Sequence, residues 1–185
     1  AAGTYSPKPA LKLLPKGAIP EPPNRQRPNF GFQIADFDGD NRADLVANCQ
    51  SGTFFSSKAS LQLFSGKAGW ADPSRKFPSP TWAGAFDGWV FGPFFRDLNA
   101  DKENDMVVPL IPTGLIQNFK IFVSHDLPIV LNYYISTNHT FPAQPTYVDS
   151  LTLRVDFSGR MTRGFSNIFA DFNGDGVDDL IYARS

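Results

Sequence analysis

The chain has 185 residues, 42% hydrophobic and 14% aromatic, enough apolar material to bury a core and unlike a disordered sequence. A formal net charge of −1 excludes a nucleic-acid or membrane surface that works by bulk positive charge, and no apolar run reaches the length of a transmembrane helix. The single cysteine, Cys49, excludes an intrachain disulfide framework and a cysteine-rich zinc site.

Residue choice points to β-structure. Of the 18 acidic residues only Glu21 and Glu103 are glutamate, and the other 16 are aspartate, which favours turns and caps over helix interiors. The 16 prolines, 15 glycines and 18 phenylalanines predict short strands, many turns and few helices. Residues 1–28 contain Pro7, Pro9, Pro15, Pro20, Pro22, Pro23 and Pro28 and read as an extended arm, because proline has no N–H for a central strand. The Ala1-Ala2-Gly3 start suits either a mature end left by signal cleavage or an expression scar.

From Asn29 onward a pattern recurs in Asn29–Asn48, Trp89–Leu110 and Ile168–Ser185. Each copy runs from an aromatic or aliphatic stretch into an acidic segment and then into a β-type run. Further strand-like runs lie between them at Ser60–Phe64, Phe119–Val123, Ile129–Ile135 and Leu151–Phe157. About four short strands per repeat is the arithmetic of a propeller blade. The predicted fold is therefore all-β, a partial β-propeller over residues 29–185, with repeats at about 29–88, 89–160 and 161–185.

The three acidic segments share one spacing. The first offers Asp36, Asp38, Asp40 and Asp44; the second Asp97, Asn99, Asp101 and Asp105; the third Asp171, Asn173, Asp175 and Asp179. Side-chain oxygens thus stand at positions 1, 3, 5 and 9, and position 7 (Arg42, Glu103, Val177) is free to give a backbone carbonyl. Such spacing folds a loop around a hard cation that takes six to eight oxygens, and clustered carboxylates in a flexible loop favour calcium over magnesium. Asp-Gly and Asn-Gly segments also make plain hairpin turns, but identical internal spacing in three copies favours the metal. An EF-hand loop needs a carboxylate at position 12 and flanking helices; Ala47, Val108 and Tyr182 stand there, between β-type runs.

These segments resemble FG-GAP/VCBS repeats, found in integrin-α-type propellers and in secreted bacterial proteins. Phe30-Gly31 and Phe91-Gly92 stand where that family has its FG pair, and the third copy has Gly164-Phe165. Asp36–Leu45 meets the DxDGDxxxDL pattern and Asp171–Leu180 meets it with Asn173 at the third position, whereas the second loop has Ala100 for glycine and Lys102 where Asn41 and Gly176 stand. Position 6 requires a turn conformation that lysine tolerates poorly, so the second site is expected to be the weakest. The resemblance implies a secreted or cell-surface, calcium-stabilised propeller, usually of about seven blades. A chain of this length is too short for one, so a fragment, a processed product or one part of a closing assembly is expected. Its partners are then other copies of itself or a chain completing the propeller, with a glycan or protein as ligand.

Nothing points to catalysis. His125 and His139, the only histidines, have no patterned partner, and no GxGxxG, P-loop, HExxH or GxSxG segment occurs. Cys49 is expected to be a small buried residue, and Trp70, Trp82 and Trp89 to pack between blades rather than to form a glycan platform. Asn138-His139-Thr140 is a glycosylation sequon in a eukaryotic secretory context. The expected role is recognition, adhesion or scaffolding without enzyme activity. The alternatives are a non-catalytic module of a secreted polysaccharide- or protein-acting enzyme, and a structural subunit of a filament or surface appendage.

Overall fold

The computed structural model describes residues 29–53, 55–67, 79–114, 125–154, 169–175 and 179–180. Among these the regular structure is β throughout: β1 (Asn29–Ala35), β2 (Asp44–Thr53), β3 (Ser56–Phe64), β4 (Trp82–Val90), β5 (Phe94–Arg96), β6 (Asp105–Pro112), β7 (Asp126–Tyr134), β8 (Tyr147–Arg154), β9 (Phe169–Ala170) and β10 (Asp179–Leu180). No helix among them is long and apolar enough to cross a membrane. The expected strand runs at 60–64, 129–135 and 151–157 fall largely within β3, β7 and β8. The run at 119–123 and the proline-rich arm lie outside the described residues.

Side-chain alternation explains which face each strand buries. In β3, Ser57, Ala59, Leu61 and Leu63 are buried, while Lys58 is exposed and Ser60 and Gln62 are half-buried. β6 is buried continuously from Asp105 to Pro109, because it is covered on both sides: Met106 and Val108 face one apolar cluster and Val107 another.

Eight strands form one antiparallel sheet in the order β1-β2-β3-β4-β6-β7-β8, with β5 lying along β6, and β9 and β10 form a separate two-stranded ladder. Two meanders in succession, β1 to β4 and β5 to β8, are joined through β4. Its residues Trp82 to Asp87 pair with β3, and Gly88 to Val90 pair with β6. Gly88 makes this change of partner feasible: it has φ 151°, and a Cβ there would lie 2.3 Å from the Ile111 carbonyl oxygen. Beyond the change of partner, side chains of β2 satisfy the β4 backbone. Gln50 Nε2 donates to Gly88 O at 2.8 Å, Val90 N donates to Gln50 Oε1 at 3.3 Å, and Asn48 Nδ2 donates to Val90 O at 3.0 Å.

The main core lies between the two meanders. Val46, Leu61, Leu63 and Trp82 from the first pack with Phe95, Met106, Val108, Tyr134 and Phe141 from the second. Trp82 meets Tyr134 edge-on at 5.2 Å, and its Nε1 donates to Pro142 O at 2.8 Å, which fits the packing role expected for the tryptophans. Trp89 is half-buried, and Trp70 lies outside the described residues. A second cluster of Val107, Ile129, Leu131 and Leu151 occupies the opposite face of the second meander.

Because Met106 is fully buried at the centre of this core, Met106→Ala should destabilise the protein by about 2–5 kcal/mol. Lys58, exposed in a 3.4 Å surface pair with Asp87, should give less than about 1 kcal/mol on conversion to alanine. Urea unfolding of both variants checks the contrast.

Candidate functional site

All three acidic segments are the loops of two-stranded hairpins. Residues 36–43 join β1 to β2, 97–104 join β5 to β6, and 171–178 join β9 to β10, the last described only through Asp175. The bonds inside them repeat by position. The N–H of position 2 donates to the aspartate at position 9: Phe37 to Asp44 Oδ2 at 2.9 Å, Leu98 to Asp105 Oδ2 at 2.9 Å, and Phe172 to Asp179 Oδ2 at 3.0 Å. The N–H of position 5 donates to the side chain at position 3: Asp40 to Asp38, Asp101 to Asn99, and Asp175 to Asn173, at 3.3, 3.1 and 2.9 Å. In the first two loops position 6 donates to position 1, Asn41 to Asp36 and Lys102 to Asp97, at 2.9 and 2.8 Å. Short acidic side chains serve here because each reaches a backbone N–H two to seven residues away.

These bonds require left-handed residues. Position 4 has positive φ in every copy (Gly39 72°, Ala100 64°, Gly174 80°), and so does position 6 where described (Asn41 61°, Lys102 70°). The second loop therefore forms the same turn with two residues that resist it, as its departure from the sequence pattern suggested.

Position 9 is buried in the first two loops and half-buried at Asp179 in the third. Asp44 and Asp105 are fully inaccessible, and each accepts a second backbone bond on its other oxygen, from Gly66 N at 2.7 Å and from Ser136 N at 2.8 Å. Gly66 and Ser136 are equivalent, each two residues past the end of β3 or β7. Burial pushes both carboxyls above their ordinary pKa, opposed by these backbone donors.

The exposed half of each loop differs between copies. Asp36, Asp38 and Asp40 each bring a carboxylate oxygen within 4.8 Å of the others. Asp36 Oδ1 is shielded from solvent and accepts no hydrogen bond. Ser65 Oγ donates to Asp38 Oδ2 at 2.9 Å. In the other loops position 3 is asparagine, and its Nδ2 donates to the position-5 carboxylate: Asn99 to Asp101 at 2.8 Å and Asn173 to Asp175 at 3.0 Å. Carboxylate repulsion between positions 3 and 5 is thus replaced by an internal bond.

The position-7 side chains of the first two loops bond outside their own loops. Arg42 donates to Lys67 O, while Glu103 Oε2 accepts from Ser136 Oγ at 2.7 Å and His139 N at 2.9 Å. Both side chains are thus engaged away from their own loops, and Val177 lies outside the described residues. The contributions of Ser65, Gly66, Asn104 and Ser136 carry no sequence signal in any single copy. Only superposing the first two hairpins reveals Gly66 and Ser136 as equivalent. Cys49 is half-buried, His125 and His139 are exposed, and Asn138 stands exposed at a turn bridged between Thr137 and Thr140. Comparison with known proteins gave no match to a family model, a curated protein or a solved structure.

Ala100→Gly should stabilise the protein by about 1 kcal/mol, since a left-handed non-glycine residue costs about 1–2 kcal/mol; thermal and urea unfolding measure it. Glu103 gives a pH test. Bonds from the His139 backbone and the Ser136 hydroxyl hold its carboxyl below the ordinary value of 4.5. Its stabilising contribution is present above that value and is lost as pH falls through the lower folded-state value. In chelator, the stability gap between the protein and Glu103→Gln should be constant well above pH 4.5 and shrink below it. Asp44 and Asp105, whose raised values give the opposite slope, are common to both proteins and cancel in the difference. A gap independent of pH contradicts the assignment.

Proposed function

We propose that the chain is a calcium-binding, all-β module of the propeller type that works outside the cell or at its surface, in recognition or scaffolding. The observation that carries this is the first loop, where Asp36, Asp38 and Asp40 each bring a carboxylate oxygen within 4.8 Å of the others and Asp36 Oδ1 is buried without a partner. Buried polar atoms are ordinarily satisfied, and an orphaned carboxylate oxygen among two other carboxylates is matched by a cation. At a separation of about 5 Å each pair of charges costs about 1–3 kcal/mol between the bulk-water and near-surface limits. An ion removes that cost, and calcium suits it because several protein carboxylates fit its larger, irregular oxygen shell.

Asp36, Asp38 and Asp40 would supply side-chain oxygens and Arg42 a backbone carbonyl. Asp44 closes the loop from below; its two oxygens hold one backbone N–H each, and a carboxylate has about four lone-pair sites, so it retains acceptor capacity. In the other copies Asp97, Asn99, Asp101, Glu103 and Asp105, and Asp171, Asn173, Asp175, Val177 and Asp179, take the corresponding places. The ion supplies no chemistry beyond cross-linking and charge neutralisation, so the module has a mechanical role. Two successive four-stranded meanders, each with the acidic loop between its first and second strands, support the propeller reading.

Calorimetric titration of chelator-stripped protein, with magnesium as control, tests this. Up to three calcium sites are expected, the tightest in the first loop, with its three gathered carboxylates, and the weakest in the second, with Ala100 and Lys102. Asp38→Ala should abolish the tightest site. Calcium at a hundredfold excess over Kd should add about 2.7 kcal/mol of stability per site. No calcium-specific heat at millimolar ion, or a melting curve unchanged by chelator, overturns the proposal.

A further inference from the structure

The first and second loops touch. Asn104, at position 8 of the second loop, donates from Nδ2 to the backbone oxygen of Asp36, the residue that opens the first, at 2.9 Å. Below this bond the loops share a packed aromatic group. Phe37, position 2 of the first loop, lies 5.9 Å from Phe95, two residues before Asp97, and both rings lie 6.1 Å from Phe141. All three rings are buried, and the Phe37 N–H is held by Asp44 at 2.9 Å. The Asp36–Phe37 peptide is therefore held at its carbonyl by Asn104 of the second loop and at its N–H by Asp44 of the first, while the Phe37 ring packs on Phe95 just before the second loop.

The geometry points to positive coupling between these two loops: an ion that orders the second loop fixes Asn104, and through it holds Asp36 where the first loop binds its own ion. This rests on the calcium reading above and goes beyond it, since three independent sites satisfy that reading equally well. The mechanism is shared ordering. A loop already immobilised by one ion loses less conformational freedom when the second binds. Repulsion between the cations works in the opposite direction. Salt weakens that repulsion, since exposed charges are screened beyond about 8 Å at physiological ionic strength. By linkage, the effect of the second site on the first equals the effect of the first on the second.

The test is calcium calorimetry on the whole chain, with the second loop disabled by Asp101→Asn, in the native and in the Asn104→Ala background. Asn104→Ala leaves every acidic ligand in place, and the first-loop heat is identified as the component that Asp38→Ala removes. Asp101→Asn should weaken first-loop binding about fivefold in the native background, the low end of ordinary site coupling, and less than about twofold once Asn104 is gone. A first-loop constant that ignores Asp101→Asn in both backgrounds overturns the coupling while leaving the calcium reading intact. Absence of heat in the unaltered protein overturns both. If Asn104→Ala does not fold, Asn104→Leu, of similar size and without a donor, replaces it. A second measurement needs no ion. In chelator, amide exchange at Phe37 and Asn41 should speed up in the Asn104 variant, and unchanged exchange contradicts the shared ordering.

Discussion

The constraint on which this structure rests is the burial of one carboxylate in each of the first two acidic hairpins. Asp44 and Asp105 are both fully removed from solvent, where an isolated charge is costly unless hydrogen bonds replace its lost hydration. Each finds two backbone donors, one at the start of its own loop and one just past the third strand of its meander. A single side chain thereby ties three separate stretches of chain: the loop, the strand that carries the aspartate, and the turn leaving β3 or β7. Removing it leaves two backbone N–H groups unsatisfied, each worth about 1–3 kcal/mol. The clustering of the outer acidic side chains follows from this anchor. With the loop fixed at position 9, positions 1, 3 and 5 have little freedom except to converge.

Hydrogen bonding outweighs local backbone preference in these loops. Ala100 and Lys102 accept left-handed φ values where Gly39 and Asn41 do so at lower cost, yet the second loop keeps the same bonds from positions 2, 5 and 6. The difference appears at position 3. Asparagine there bonds its own loop's carboxylate, while Asp38 relies on Ser65 and stays among like charges. The first loop carries the greater electrostatic need for a cation, and the other two have relieved part of theirs internally.

Much of this was legible in the sequence because the loop bonds are local. Links over two, five and seven residues require small acidic or amide side chains at fixed spacing, and that spacing repeats at Asp36, Asp97 and Asp171. Strand-like composition likewise located β3, β7 and β8. Other features left no such trace. Gly66 and Ser136 act through backbone N–H groups, so their side chains need share nothing. The division of β4 between β3 and β6 depends on Gly88, whose close approach to Ile111 O is a tertiary fact. Repeat arithmetic placed a boundary beside that glycine, whereas the strand runs unbroken across it from Trp82 to Val90. Asn104 and Asp36, 68 residues apart in sequence, meet only because the two meanders pack on one shared core.

Diffraction from crystals grown in calcium, with anomalous data collected to locate the ion, decides whether the first loop holds a cation. A calcium peak is expected in the first loop, bonded to Asp36 Oδ1 and to oxygens of Asp38 and Asp40, while Asp44 still accepts from Phe37 and Gly66. A map with no ion in that loop, and with Asp36 Oδ1 satisfied by a protein donor, would contradict it.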